Sequence, residues 1–324
     1  MAGPKPLFGI TGDQRNMVLE RQMDNSKTPI FDRMAVELSS LRPEYRDEIL
    51  CPMCLGRYGR ARIHLLTKEH VLARSLGGRA VTLTCKVCNN TAGHRVQNHL
   101  KTLLKLNEGF RGDGELRGRF TIFGETVPVG VTVRPGAGLT ITACGGSPRT
   151  MGAVEKGFRS HRAGKWSMQV NLPYNPAKAS AAIARAAYLV VFQQFGYRYI
   201  LSESVNLIRQ EIISAMDRHS DRLCLLTGKL GPAPAPNGNE PEAVLIPVVL
   251  EYGYKFLVVV MRFQQHRDYW MFCALPREAE STESVFENLA KAVHWLGNFN
   301  LTISGDEDGE VIAQFVPKSQ QPNL

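Results

Sequence analysis

Two Cys-x-x-Cys turns constrain this chain more than any other feature. Cys51-Pro-Met-Cys54 and Cys85-Lys-Val-Cys88 stand thirty residues apart, and the residues between them are polar and basic. Each turn aims two thiolates at one point, and two turns complete a tetrahedral sulfur shell of the kind zinc prefers. Nothing at the N-terminus reads as a secretory leader, and no apolar run approaches the length of a membrane span. The cytoplasm is therefore the expected compartment, with no membrane partner. In that reducing setting, paired cysteines read as metal ligands rather than disulfides. Cys144, Cys224 and Cys273 are scattered and read as small buried hydrophobes.

A zinc ion held by four cysteines has no open coordination position, so its expected role is structural. Any chemistry must come from other side chains. The loop between the turns runs Thr67-Lys-Glu69-His70-Val-Leu-Ala73-Arg-Ser75-Leu-Gly77-Gly78, and Asn89-Asn90-Thr-Ala-Gly93-His94 follows the last cysteine. Four of the eight histidines, His64, His70, His94 and His99, lie within this stretch. Asn90 and His94 have the spacing that puts both on one helical face. Charge concentrates here as well. Residues 51–119 hold 13 Lys and Arg against 4 Asp and Glu, which accounts for the whole net charge of +9. A basic surface on a separate motif is the electrostatic footprint of a phosphate partner.

The strings EHVLARSLGG and TLTCKVCNNTAG resemble the HNH endonuclease motif in its cysteine-containing subgroup. The specific likeness covers about fifty residues. The stretch from Ala184 to Ile213 is similar, more loosely, to helices found downstream of such modules in some bacterial HNH proteins. The resemblance implies a zinc-stapled ββα-metal module in which a hairpin and a helix grip one divalent cation. His70 falls on the family's general base, Glu69 on its acidic metal ligand, and Asn89 on the ligand at the start of the helix. His94 is a further candidate ligand. Ala73 stands where the family usually has proline, and Ala80 where many members have the asparagine that orients the histidine.

Taken together, these implications describe a metal-dependent endonuclease acting on nucleic acid, most readily DNA. Its cofactors would be structural Zn²⁺ and catalytic Mg²⁺ or Mn²⁺, which suit oxygen ligands. Arg74, Arg79, Lys86 and Arg95 would hold the phosphate backbone. The alternatives are a zinc-containing nucleic-acid-binding protein that does not cut, and a structural or regulatory protein whose main activity lies in residues 115–317.

The rest of the chain predicts an α+β fold: the small zinc module, then a larger region of antiparallel strands and helices. Ile30, Phe31, Met34, Ala35 and Leu38 predict a helix over Thr28–Leu41 in an N-terminal segment, residues 1–44. The nuclease module spans 45–110 and ends in a helix carrying Val96, Leu100, Leu103 and Leu104. An α+β region covers 111–228. Within it, residues 115–173 read as β-rich, Ala179–Phe195 as a helix stopped by Gly196, and Ser204–Arg218 as a second helix. Residues 229–242 read as a linker or long loop. A C-terminal α+β region, 243–324, should hold strands over Val244–Tyr252, Lys255–Phe263 and Tyr269–Leu275. A helix over Thr282–Leu296 and a strand pair near Leu301 and Val311 complete it. Target recognition or dimerisation is the role residues 115–317 suggest, with a homo-oligomer formed through the C-terminal region. His161, His219, His266 and His294 are isolated, and Trp166, Trp270 and Trp295 read as core.

Overall fold

The helical spacing of Phe31, Met34, Ala35 and Leu38 becomes the buried stripe of a long first helix, α1 (Gly12–Leu41), which begins well before Thr28. This computed structural model describes residues 12–72, 74, 78, 81–110, 115–122, 125–134, 138–160, 169–171, 174–218, 222–232, 243–249, 255–263, 269–277, 285–296, 299–305 and 311–317. After α1 come a short antiparallel pair, β1 (Glu48–Leu50) and β2 (Arg57–Gly59), and a second pair, β3 (Leu66–His70) and β4 (Val81–Cys85). The chain passes directly from β4 into α2 (Lys86–Ala92). It then widens into one π-helical turn at Gly93–Gln97 and continues as α3 (Asn98–Phe110).

A four-stranded antiparallel sheet follows, built from β5 (Glu115–Ile122), β6 (Glu125–Arg134), β7 (Gly138–Ala143) and β8 (Gln169–Asn171) in the order β7-β6-β5-β8. Between β7 and β8 lies α4 (Pro148–Ser160), inside a stretch read from the sequence as β-rich. Its start was written in Ser147-Pro148: the Ser147 hydroxyl accepts the Thr150 N–H at 3.1 Å, and proline at the first helical position forfeits no hydrogen bond. Phe120, Val127, Val129 and Val131 pack with Leu106 of α3 and Val154 of α4 in a small core of their own.

α5 (Pro176–Ile200) is the centre of the molecule. Asn175 caps it, accepting the Lys178 N–H at 2.9 Å. It is buried nearly all round, as expected of a helix with apolar residues on every face, and it packs against α1 and α3. It also packs against α6 (Glu203–Asp217) and α7 (Arg222–Leu226). Gly196 interrupts it with φ +58° rather than ending it, and one further turn runs to Ile200. Glu37 of α1 fills the space a side chain would need there. A Cβ at Gly196 would collide with Glu37 Oε1, which accepts the Tyr197 N–H at 2.7 Å.

The second large sheet comprises β9 (Thr227–Pro232), β10 (Ala243–Val249), β11 (Lys255–Phe263) and β12 (Tyr269–Pro276), in the order β10-β11-β12-β9. The expected linker is thus corrected at its start. Lys229–Pro232 belongs to β9, an edge strand, where glycine and proline are tolerated. Residues 233–242 lie outside the described residues. α8 (Val285–Leu296) packs on β12, and β13 (Phe299–Gly305) pairs with β14 (Val311–Pro317).

The result is an α+β fold with small antiparallel sheets. One continuous core joins α1, the cysteine segment, α5 to α7, the second sheet and α8. Trp270 lies in that core; Trp166, and the side chain of Trp295, lie outside the described residues. Cys273 is buried, but Cys144 is exposed, which corrects the expectation of a buried hydrophobe; its thiol faces Glu115 at 3.5 Å. Among the described residues no helix is long and apolar enough to cross a membrane.

Candidate functional site

Backbone turns position the four thiols before any side chain does. Cys51 closes β1, its N–H bonded to Gly56 O at 2.9 Å, while Leu55, at φ +56°, returns its N–H to Cys51 O at 2.8 Å. Cys85 ends β4 and caps α2, its sulfur accepting the Cys88 N–H at 3.4 Å. The Cys85 N–H in turn bonds Cys51 Sγ at 3.3 Å, tying one turn to the other. All four sulfurs lie within 4.8 Å of one another, and Cys54 Sγ and Cys85 Sγ are 3.8 Å apart. A tetrahedron with zinc–sulfur bonds of ~2.3 Å has edges of ~3.8 Å, so the donor set fits zinc.

Thiols this close compete for protons. Hydrogen bonding from Cys51 pulls Cys54 down to about 6, helped by Cys88 and the Gly56 backbone and opposed by Cys85. Hydrogen bonds from Cys51, Cys54 and Cys88 draw Cys85 well below the ordinary thiol value. Cys51 and Cys88 are pushed up, Cys51 chiefly by its bond with Cys54 and Cys88 chiefly by its bond with Cys51. The cluster therefore keeps some of its protons, which a bound cation would displace.

The first turn is also held from behind. Tyr197 donates to Leu50 O at 2.7 Å and accepts the Leu50 N–H at 3.0 Å; Tyr188 donates to Pro52 O at 2.8 Å; Arg209 donates to Met53 O at 2.8 Å. All three side chains are buried on α5 or α6. Burial raises both tyrosines, so their hydroxyls stay protonated and able to donate. The segment from Ala184 to Ile213 thus clasps the cysteine turn directly.

Beside the sulfur cluster stands a hairpin followed by a helix. β3 pairs with β4 so that Glu69 faces Thr82 and His70 faces Val81, and α2 starts at the next residue after β4. Alternation along β3 puts Thr67 and Glu69 on one face and Lys68 and His70 on the other. Asn89 Nδ2 donates to Thr67 Oγ1 at 3.5 Å, which brings Asn89 to the Glu69 face. His70, the last residue of β3, is half-buried and has no hydrogen-bond partner among the described residues.

Glu69 is only 3 % exposed, and Oε1 accepts from Arg185 Nη1 of α5 at 3.0 Å. Arg185 is also 3 % exposed. Among the described residues Glu69 Oε2 is buried with no hydrogen-bond partner, as are Arg185 Nε and Nη2. The carboxylate thus has one oxygen paired and one acceptor unmet.

The other sequence candidates fall into three groups. Arg74 and Lys86 are exposed and free to meet a phosphate. Arg95 is exposed but forms an ion pair with Asp217 of α6. Arg79, Ala73 and Ala80 lie outside the described residues, as does the side chain of His94, whose backbone belongs to the π-helical turn. His99 is committed to the fold, its Nδ1 accepting the Asn175 N–H at 3.2 Å. His64 and His294 are exposed; His161, His219 and His266 lie outside the described residues.

Sequence reasoning missed Arg185, Tyr188, Tyr197 and Arg209. A signal did exist for Arg185: it stands within an otherwise unbroken run of Ala, Ile, Tyr, Leu and Val, and an arginine buried in such a run needs a partner. No family model, curated protein or solved structure matches this chain.

Proposed function

We propose that this protein is a metal-dependent endonuclease of the HNH type, hydrolysing phosphodiester bonds in DNA. The observation that carries the reading is the β3–β4–α2 unit beside four convergent thiols. It puts Asn89 on the face of Glu69, whose Oε2 has no partner among the described residues. In this reading zinc holds the unit's shape, and Glu69 Oε2 and Asn89 hold Mg²⁺ or Mn²⁺. When bound, that cation neutralises phosphate charge and stabilises the leaving 3′ oxygen. His70, the last residue of β3, alternates to the face opposite Glu69, so in this reading its ring turns around the strand end to take a proton from the attacking water. Arg185 fixes the Glu69 carboxylate through Oε1 and leaves the other oxygen for the ligand role. Arg74 and Lys86, with Arg79, hold the DNA backbone in register.

One observation favours a second reading, a zinc-organised protein that binds nucleic acid without cutting it. Glu69 is enclosed with Arg185, a cation that competes with a metal for the same carboxylate. Plasmid incubated with pure protein and Mg²⁺ or Mn²⁺ separates the two. The nuclease reading expects nicking that is abolished in His70→Ala while zinc content and melting stay at the wild-type level. Undiminished nicking by His70→Ala removes His70 from the mechanism. No nicking by wild type, together with binding that weakens steeply between about 50 and 200 mM salt, supports the second reading.

A further inference from the structure

The break in α5 at Gly196 opens a second site, away from the sulfur cluster. Phe195 just before the break is 47 % exposed, on the stretch where α5 emerges from the core with Gln193, Gln194 and Arg198. It borders a cavity of about 490 Å³ between the end of α5 and the adjacent strands β10 and β11. That volume is in the range of pockets that hold small organic ligands. Apolar and aromatic groups form its walls: Phe195 and Tyr199, tilted rings 6.5 Å apart, with Leu245 and Leu257 from the sheet. The Tyr199 hydroxyl is taken by Pro276 O at 2.9 Å, so the ring rather than the hydroxyl is what that residue offers a ligand.

Two cations complete the cavity. Arg198 and Arg277 both line it and both are exposed, and neither guanidinium has an ionic partner among the described residues. No acidic side chain lines the cavity among the described residues. Ser202 also borders it. Apolar walls and two guanidinium groups without an ionic partner among the described residues describe one ligand chemistry.

We propose that this cavity binds a small amphipathic anion, an apolar or aromatic body ending in a carboxylate or phosphate. The body lies against Phe195, Tyr199, Leu245 and Leu257. The anionic end meets Arg198 and Arg277. The site uses none of the residues assigned to cleavage, so it stands or falls independently of the nuclease reading.

The test is a titration of the full-length chain with the fluorescent probe anilinonaphthalene sulfonate, which has both features. The probe should saturate one site and be displaced by decanoate or by AMP; which of them competes decides between an aliphatic carboxylate and a nucleotide source. Arg198→Ala/Arg277→Ala, two exposed positions, should weaken the probe at least about tenfold, the loss expected for charge-assisted contacts. Leu245→Trp narrows the pocket without touching either arginine and should also abolish binding, with melting monitored alongside. The proposal is overturned if either variant binds the probe as wild type does. It is equally overturned if inorganic phosphate or decanol alone displaces the probe as well as the two amphipathic anions do, or if neither of those anions displaces it.

Discussion

Removing Arg185 tests the least sequence-visible part of the site. Arg185→Met keeps most of the side chain's volume but leaves Glu69, 3 % exposed, as a buried charge without its partner. Breaking a buried pair from one side costs about 3–5 kcal/mol, because the remaining ion has lost both water and counter-charge. At about 2–4 °C per kcal/mol for a large domain, melting should fall by roughly 6–20 °C. Glu69→Met/Arg185→Met replaces both ions with apolar volume and should recover to within about 1 kcal/mol of wild type, since desolvation is then no longer owed. Thermal melts of wild type, Arg185→Met, Glu69→Met and the double variant give the coupling energy directly. A single-variant loss below about 1 kcal/mol, the value of an exposed pair, would refute the argument that this pair is enclosed. Divalent cation adds a second arm. If Glu69 is a metal ligand, Mn²⁺ should stabilise Arg185→Met by supplying the missing positive charge, by about 2.7 kcal/mol at a hundred times its dissociation constant. The same Mn²⁺ should leave the double variant unmoved.

Other consequences can be checked separately. Elemental analysis of the purified protein should find one zinc per chain. Cys85→Ser should lose it and melt far below wild type, and zinc affinity should weaken as pH falls, because Cys51 and Cys88 must release protons to bind. Tyr197→Phe deletes a buried hydroxyl that both donates to and accepts from Leu50; a loss of about 1–3 kcal/mol in denaturant melts is expected. Gly196→Ala meets both a positive φ and the Glu37 carboxylate, so it should destabilise by more than the roughly 1 kcal/mol of a strained backbone alone.

How much of this could be read from the chain depended on sequence distance. The cysteine cluster was legible because a C-x2-C turn is a local device, and two of them have few ways to meet. The strands over Lys255–Phe263 and Tyr269–Pro276 were legible because apolar runs between polar breaks leave little choice. The α4 helix was passed over because its neighbours are glycine-rich strands, although Ser147-Pro148 marks its start. The Glu69–Arg185 pair spans 116 positions, and no local pattern links its members. Nor does spacing say that a helix more than 130 residues downstream supplies the tyrosine that holds Pro52. Apolar periodicity shows which face is buried but not what it is buried against. The kink at Gly196 was read as a stop, since glycine ends helices more often than it bends them; Glu37, which accepts the next N–H, is remote in sequence.

Tyr188, Tyr197 and Arg209 impose an order of events on a chain emerging from the ribosome. The first cysteine turn is made early, but its carbonyl partners arrive only when residues 188–209 have been synthesised. Until then the Leu50, Pro52 and Met53 carbonyls must accept from solvent instead. A truncated product ending before α5 would therefore lack the three side chains that hold the first cysteine turn from behind.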